Sequence, residues 1–231
     1  MRQPRSVRAL ERFGRVRLSE NFFMRDFLYS EIAVINGMAN LPDDPDLAIA
    51  AGTRLCQELL EPLQKQFGRL SVRSAYRSPE VNAFGNAHGF NCAANEKNFA
   101  GHIWDRRDAE GHMGATACII VNRFIPYYAG TGDWEALAWW IHDHLPYSAM
   151  EFFPRFAAFN LTWNEQPSRQ IYSMIPPRRG WLTRSGMDNW AGQHDGAYAV
   201  MLGALEKVGA MGRENVHQPP LFQRHDAMNQ S

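Results

Sequence analysis

The sequence predicts an α+β fold, one antiparallel sheet flanked by helices, and three stretches carry that prediction. From Leu47 to Phe67, the apolar positions Leu47, Ile49, Leu55, Leu59, Leu60, Leu63 and Phe67 recur at mostly helical spacing, interrupted by Gly52. Ala115 to Val121 is an apolar run of strand length. Ala149–Phe153 and Ala158–Trp163 read as an antiparallel pair joined at Pro154-Arg155. Helices packed on such a sheet around one core make the layered arrangement these elements allow.

The remaining elements follow in order. Phe22, Phe23 and Phe27 pin a short helix or turn, and Asp46 is a candidate N-cap for the long helix, which Pro62 kinks or divides. Gly68 ends that helix and Leu70 to Ser74 turns back as a strand. Phe84 to Gly111 is rich in Asn, Ala, Gly and His with little periodicity, the signature of a functional or mobile loop. Trp134 to His144 is a helix with Asp133 at its N-cap. Beyond Ile175 the chain reads as irregular, with a short helix at Tyr198 to Val208 and an extended tail from Met211 to Ser231.

Composition bounds the function. The 231 residues suffice for one well-buried domain with extensions, and 45% hydrophobic against 21% charged residues excludes a disordered chain. With 24 Lys+Arg against 24 Asp+Glu, no global pull toward nucleic acid is expected. Residues 1–17 hold six arginines against Glu11, an arm suited to an acidic partner or, as commonly, to a solvated terminus. Neither a secretory signal nor a run of about 18 apolar residues occurs, so no membrane insertion is expected. The expectation is a protein made in the cytoplasm. Cys56, Cys92 and Cys118 include no C-x-x-C pair, and Cys56 and Cys118 read as buried small hydrophobes.

The stretch V-R-S-A-Y-R-S-P-E-V-N from Val72 to Asn82 organises the chain. Pro79 suits the first helical position and Glu80 the first turn, so Arg77 sits at a strand-to-helix corner. A guanidinium held there can present its planar fork to a carboxylate or phosphate, and equally suits a surface salt bridge.

This stretch, with L-S-E-N-F-F-M-R-D-F at Leu18–Phe27, L-P-Y-S-A-M-E-F-F at Leu145–Phe153 and F-N-L-T-W-N-E at Phe159–Glu165, resembles the M15 peptidases. These are zinc D-Ala-D-Ala carboxypeptidases and phage peptidoglycan endopeptidases of the Hedgehog/DD-peptidase fold. The resemblance implies a basic arm at 1–17, an M15-like domain at 18–175 with a long insertion at 84–111, and a C-terminal extension at 176–231.

The family draws two zinc ligands from Ser-x-His-x-x-Gly-x-Ala-x-Asp, a third from a strand His, and its base from a carboxylate three residues before that His. Laid on E-G-H-M-G-A-T-A-C-I, the first motif puts His112 at the first ligand and Ile119 at the Asp; the closing strand puts Asn160 at the His and Ala157 at the base. Ile119 and Ala157 cannot do that chemistry, and an Asn amide is a poor zinc ligand. The zinc centre is therefore expected to be lost, with no cofactor. His102 and Asp105 in the insertion are the candidate replacements, and His142-Asp143-His144 is read as histidines favouring a helix C-terminus.

The expected function is a non-catalytic M15-like module binding a cell-wall peptide or glycan through Arg77, Ser78 and His112. Trp104, Trp139, Trp140, Trp163, Trp181 and Trp190 include candidates for stacking on sugars. A structural, virion-associated role beside other proteins of a phage or phage-like particle is compatible with it. The alternative is a zinc-dependent peptidoglycan carboxypeptidase or endopeptidase with rearranged ligands.

Overall fold

The computed structural model describes residues 1–214. Asp44 caps α3 (Pro45–Leu55) by accepting from Leu47 N–H at 3.1 Å, so the cap lies two residues before the expected Asp46, with Pro45 at the first turn. The long helix divides as Pro62 requires: a π turn, Cys56–Leu60, precedes α4 (Glu61–Phe67). Proline lacks the N–H that would continue the ladder, and the widened turn absorbs the mismatch. Leu55, Leu59, Leu60 and Leu63 of this helical stretch are fully buried.

The sheet has six strands: β1 (Leu70–Ser74), β2 (Gly114–Val121), β3 (Ala149–Phe152), β4 (Phe159–Asn164), β5 (Gln170–Ser173) and β6 (Gly180–Thr183). Their spatial order is β1-β2-β4-β3-β5-β6. The expected β3–β4 hairpin is present, but the sheet is mixed and not purely antiparallel, because β5 runs parallel to β3. The α+β class holds.

One rung of the sheet runs Ile119, Phe159, Phe152, Ser173, and all four side chains are fully buried. Phe152 and Phe159 stack at 4.6 Å and Trp134 lies 5.0 Å from Phe152. This face packs beneath the long helical stretch and α8 (Glu135–His144), which Asp133 caps through Ala136 N–H at 3.1 Å. Between β2 and α8, Asn122–Gly132 contains α7 (Ile125–Thr131), a helix the sequence did not announce.

Three expectations about extensions are corrected. Residues 1–17 are no frayed arm: Ser6 caps α1 (Val7–Gly14), and Phe13 is fully buried in the core. The stretch after Ile175 is not irregular, since it supplies β6 and then α9 (Asp195–Glu214), which packs on α8. The expected short helix is thus longer, and the expected tail beyond Glu214 lies outside the described residues. The insertion 84–111 is tied down by asparagines that stand in for ladder bonds: Asn82 donates to Ala93 O (2.9 Å), Asn86 to Cys92 O (2.7 Å) and Asn98 to Asn82 Oδ1 (2.9 Å). Its Trp104 is fully buried and donates to Thr116 O at 3.1 Å. Gly114 faces Ala100 O at 2.3 Å from where a Cβ would stand, so only glycine lets the insertion lie against β2.

Candidate functional site

The rung next to the core rung faces the opposite way and reads Ser74, Cys118, Asn160, Glu151, Tyr172, Trp181 across all six strands. Its first four residues floor a groove of about 1200 Å³. Walls come from the insertion (His102, Phe90), from α2 (Glu31–Ile35), and from the β3–β4 and β5–β6 connections, which contribute Arg155 and Arg179. Arg73 enters through a β-bulge. Val72 pairs with Ile119 and Ser74 with Cys118, so Arg73 is the extra residue that the bulge re-aims.

Arg77 follows β1, where its backbone N–H donates to His102 O at 2.8 Å, and its guanidinium donates to Asn82 Oδ1 (3.2 Å) and Cys92 Sγ (2.8 Å). α5 (Pro79–Ala87) then begins, as the Ser-Pro-Glu pattern predicts. Ser78 is its N-cap, 4% exposed and accepting from Val81 N–H, so it shapes the corner instead of meeting a ligand.

His102 is buried against the floor. Its Nδ1–H donates to Ala75 O at 2.7 Å, which leaves Nε2 as the unprotonated nitrogen of the neutral ring, near Asn160. Burial, reinforced by the Arg77 charge, drives its pKa down to about 3, so the ring is neutral at physiological pH. Asn160 donates in turn to Glu151 Oε2 at 3.2 Å. Burial raises the Glu151 carboxyl above its ordinary range, with the Asn160 bond opposing. Burial pushes the Cys118 thiol up to about 11 against the pull of Arg73 and Arg77. That thiol is protonated at physiological pH, so the set is no activated nucleophile.

Of the residues singled out in the sequence, Arg77, His102 and Asn160 meet in the groove. His112 does not: it stands outside with Nδ1 3.5 Å from Asp108, and its N–H donates to Asp108 at 2.8 Å. Asp105 and His102 diverge, because Asp105 turns to Asp43 N–H (2.8 Å) and the Tyr76 hydroxyl (3.2 Å). Ile119 points into the core, and its neighbour Cys118 takes the groove position. Ala157 lies in the left-handed turn between β3 and β4 (φ 47°), 1% exposed, and the carboxylate on the groove floor is Glu151.

Cys118, Glu151 and Arg73 were missed. β2 is apolar on both faces, so alternation could not set its phase; a one-residue slip reverses every side chain. Glu151 was the lone acid in Ala149–Phe153 and could have been found from its strand position.

No family model, curated protein or solved structure matches this chain.

The zinc implied by the M15 resemblance does not fit this floor. Among the described residues, the floor brings no three His, Cys, Asp or Glu ligand atoms within 4.8 Å of one another, the third position is an amide, and the Arg73 and Arg77 guanidiniums oppose a dication. Among the described residues, the His/Cys/Asp/Glu group whose ligand atoms lie within 4.8 Å of one another is His142, Asp143 and His194, far along the chain on α8 and before α9. Those atoms are already partnered. His142 bonds Tyr147 Oη (2.6 Å) and Trp190 O (3.1 Å), while His194 bonds Asp143 Oδ1 (2.7 Å) and Asn189 O (3.1 Å). The cluster latches the segment before α9 onto α8, and His194 stacks on Trp139 at 4.0 Å.

Proposed function

We propose that the chain is a non-catalytic M15-peptidase-like module of the Hedgehog/DD-peptidase fold whose groove binds a cell-wall or envelope peptide or glycan, as a structural component of a phage or phage-like particle. The observation that carries this is positional. With Gly114 and Cys118 on the Gly and Asp of the family motif, one residue from the expected register, the motif's His falls on Gly111; His102, twelve residues before Gly114, instead stands with Cys118 and Asn160 in one groove beside Arg77. Cys118 and Asn160 thus stand where the resemblance implies metal ligands, and they offer a protonated thiol and an amide. The same floor argues against the zinc-peptidase alternative.

The test is sedimentation of the full chain with purified peptidoglycan sacculi, together with analysis of soluble products. Binding without release of peptides or sugars is expected. Arg77→Ala should weaken it by about tenfold, the loss of one charge-assisted hydrogen bond. Steady, chelator-sensitive release of stem-peptide fragments would overturn the proposal.

A further inference from the structure

We infer that the groove selects an anionic saccharide, a sugar chain carrying phosphate or carboxylate groups, over a peptide; this rests on the groove being the ligand site. Arg73, Arg77, Arg155 and Arg179 line it, against Glu31 and Glu151. Among the described residues, none of these four guanidiniums pairs with a carboxylate, and what sets them apart from other unpaired arginines is that they share one concavity. A chain of net charge +0 therefore concentrates uncompensated cations in one concavity, where field lines focus and an anion gains most. Guanidinium forks match phosphate and carboxylate alike.

The floor disfavours a peptide held by its backbone. Strand addition needs a sheet edge; β6 is absent from the groove lining, and β1 borders the groove only through Arg73 and Ser74, where a bulge interrupts its regular edge. The floor is a sheet face, whose main-chain groups pair strand to strand, so recognition falls to side chains. Asn160 and Glu151 lie side by side and offer an amide and a carboxylate, a donor and acceptor set for hydroxyl groups. Beyond Glu151 the rung continues to Tyr172 and Trp181, which meet edge to face at 5.1 Å with Trp181 41% exposed. An exposed indole packs against the C–H face of a sugar ring. Arg184 lies 5.0 Å from that indole, extending the cationic lining past the aromatic pair. Glu151, at the end of the floor, repels an anion seated directly over it, so a sugar whose charges are spaced to meet the arginines fits better than an uninterrupted phosphate backbone.

The experiment is calorimetric titration of the full chain, at low and at physiological salt, with a phosphorylated disaccharide, a uronic-acid disaccharide, their uncharged parent, a tetrapeptide and a short single-stranded oligonucleotide. At least one anionic disaccharide should bind about tenfold or more tightly than the parent and the tetrapeptide, more weakly as salt rises, and the two acidic probes tell phosphate from carboxylate. The Arg73→Ala, Arg179→Ala double variant changes two exposed side chains and should cost about tenfold, while Arg8→Ala on α1, outside the groove, should cost nothing. Trp181→Ala should weaken charged and uncharged sugars by the same factor.

Preference for the tetrapeptide or the oligonucleotide overturns the inference and leaves the groove as a binding site. Equal losses for Arg8→Ala and the double variant also overturn it, by showing unspecific attraction. Failure of every probe while sacculi still bind overturns the inference alone; failure of both overturns the groove reading as well.

Discussion

His102 concentrates the physics of the groove in one side chain. Its pKa falls from an ordinary 6.5 to about 3 because the ring is buried and lies beside the Arg77 charge, against the opposing effect of the Ala75 hydrogen bond. The unfolded chain therefore binds a proton that the folded chain refuses, so stability rises with pH across the window between those values and is lost as pH falls through it. The slope from this residue approaches about 1.4 kcal/mol per pH unit. Urea unfolding at pH 7, 5.5 and 4.5 should show it, and His102→Gln should remove that component of the slope. An unchanged slope in the variant would place the acid sensitivity elsewhere. Trp104, two residues on, acts through packing: Trp104→Ala should cost about 3–5 kcal/mol in the same assay, because it empties the space where the insertion meets β2 and α3.

At the scale of elements, two devices position the groove. The asparagine-pinned insertion delivers His102 to the sheet, and Gly114 sets how closely it can lie. The second device is the latch between α8 and the segment before α9. Asp143 is 1% exposed at its side chain, and His194 bonds it through both its backbone N–H and its ring. His194→Ala leaves that buried carboxylate without the ring's hydrogen bond and removes the stack on Trp139, and should cost about 1–3 kcal/mol. Limited proteolysis should then cut between Met187 and His194 well before the wild type is nicked, while unaltered protection would show that α9 holds itself. The groove and the latch lie on different elements, so sugar binding should survive the change.

For the whole molecule, charge balance conceals the arrangement that matters. Net charge +0 excludes a global field, yet a concavity lined by four unpaired arginines and two glutamates is locally positive. Protein purified without chelators should carry substoichiometric zinc by elemental analysis, with a melting temperature unmoved by chelator. Stoichiometric zinc lost in a His102→Ala variant would show that the floor rearranges around a metal. Among the described residues, no helix is long and apolar enough to cross a membrane, in keeping with the sequence.

The sequence by itself determined the α+β class, the β3–β4 hairpin, the division of the long helix at Pro62 and the corner that carries Arg77. Each rests on local periodicity or on the backbone limits of proline, forces that act within a few residues. Tertiary structure alone decided the parallel pairing of β5, the recruitment of β6 and α9, and the burial of Phe13. Those depend on partners distant in the chain. It also decided the phase of β2, where Cys118 and Ile119 are both small enough in polarity to face either way until the core claims one of them. Ile119 went to the core with Phe159 and Phe152, and that choice placed Cys118, Asn160 and Glu151 on one floor beneath His102.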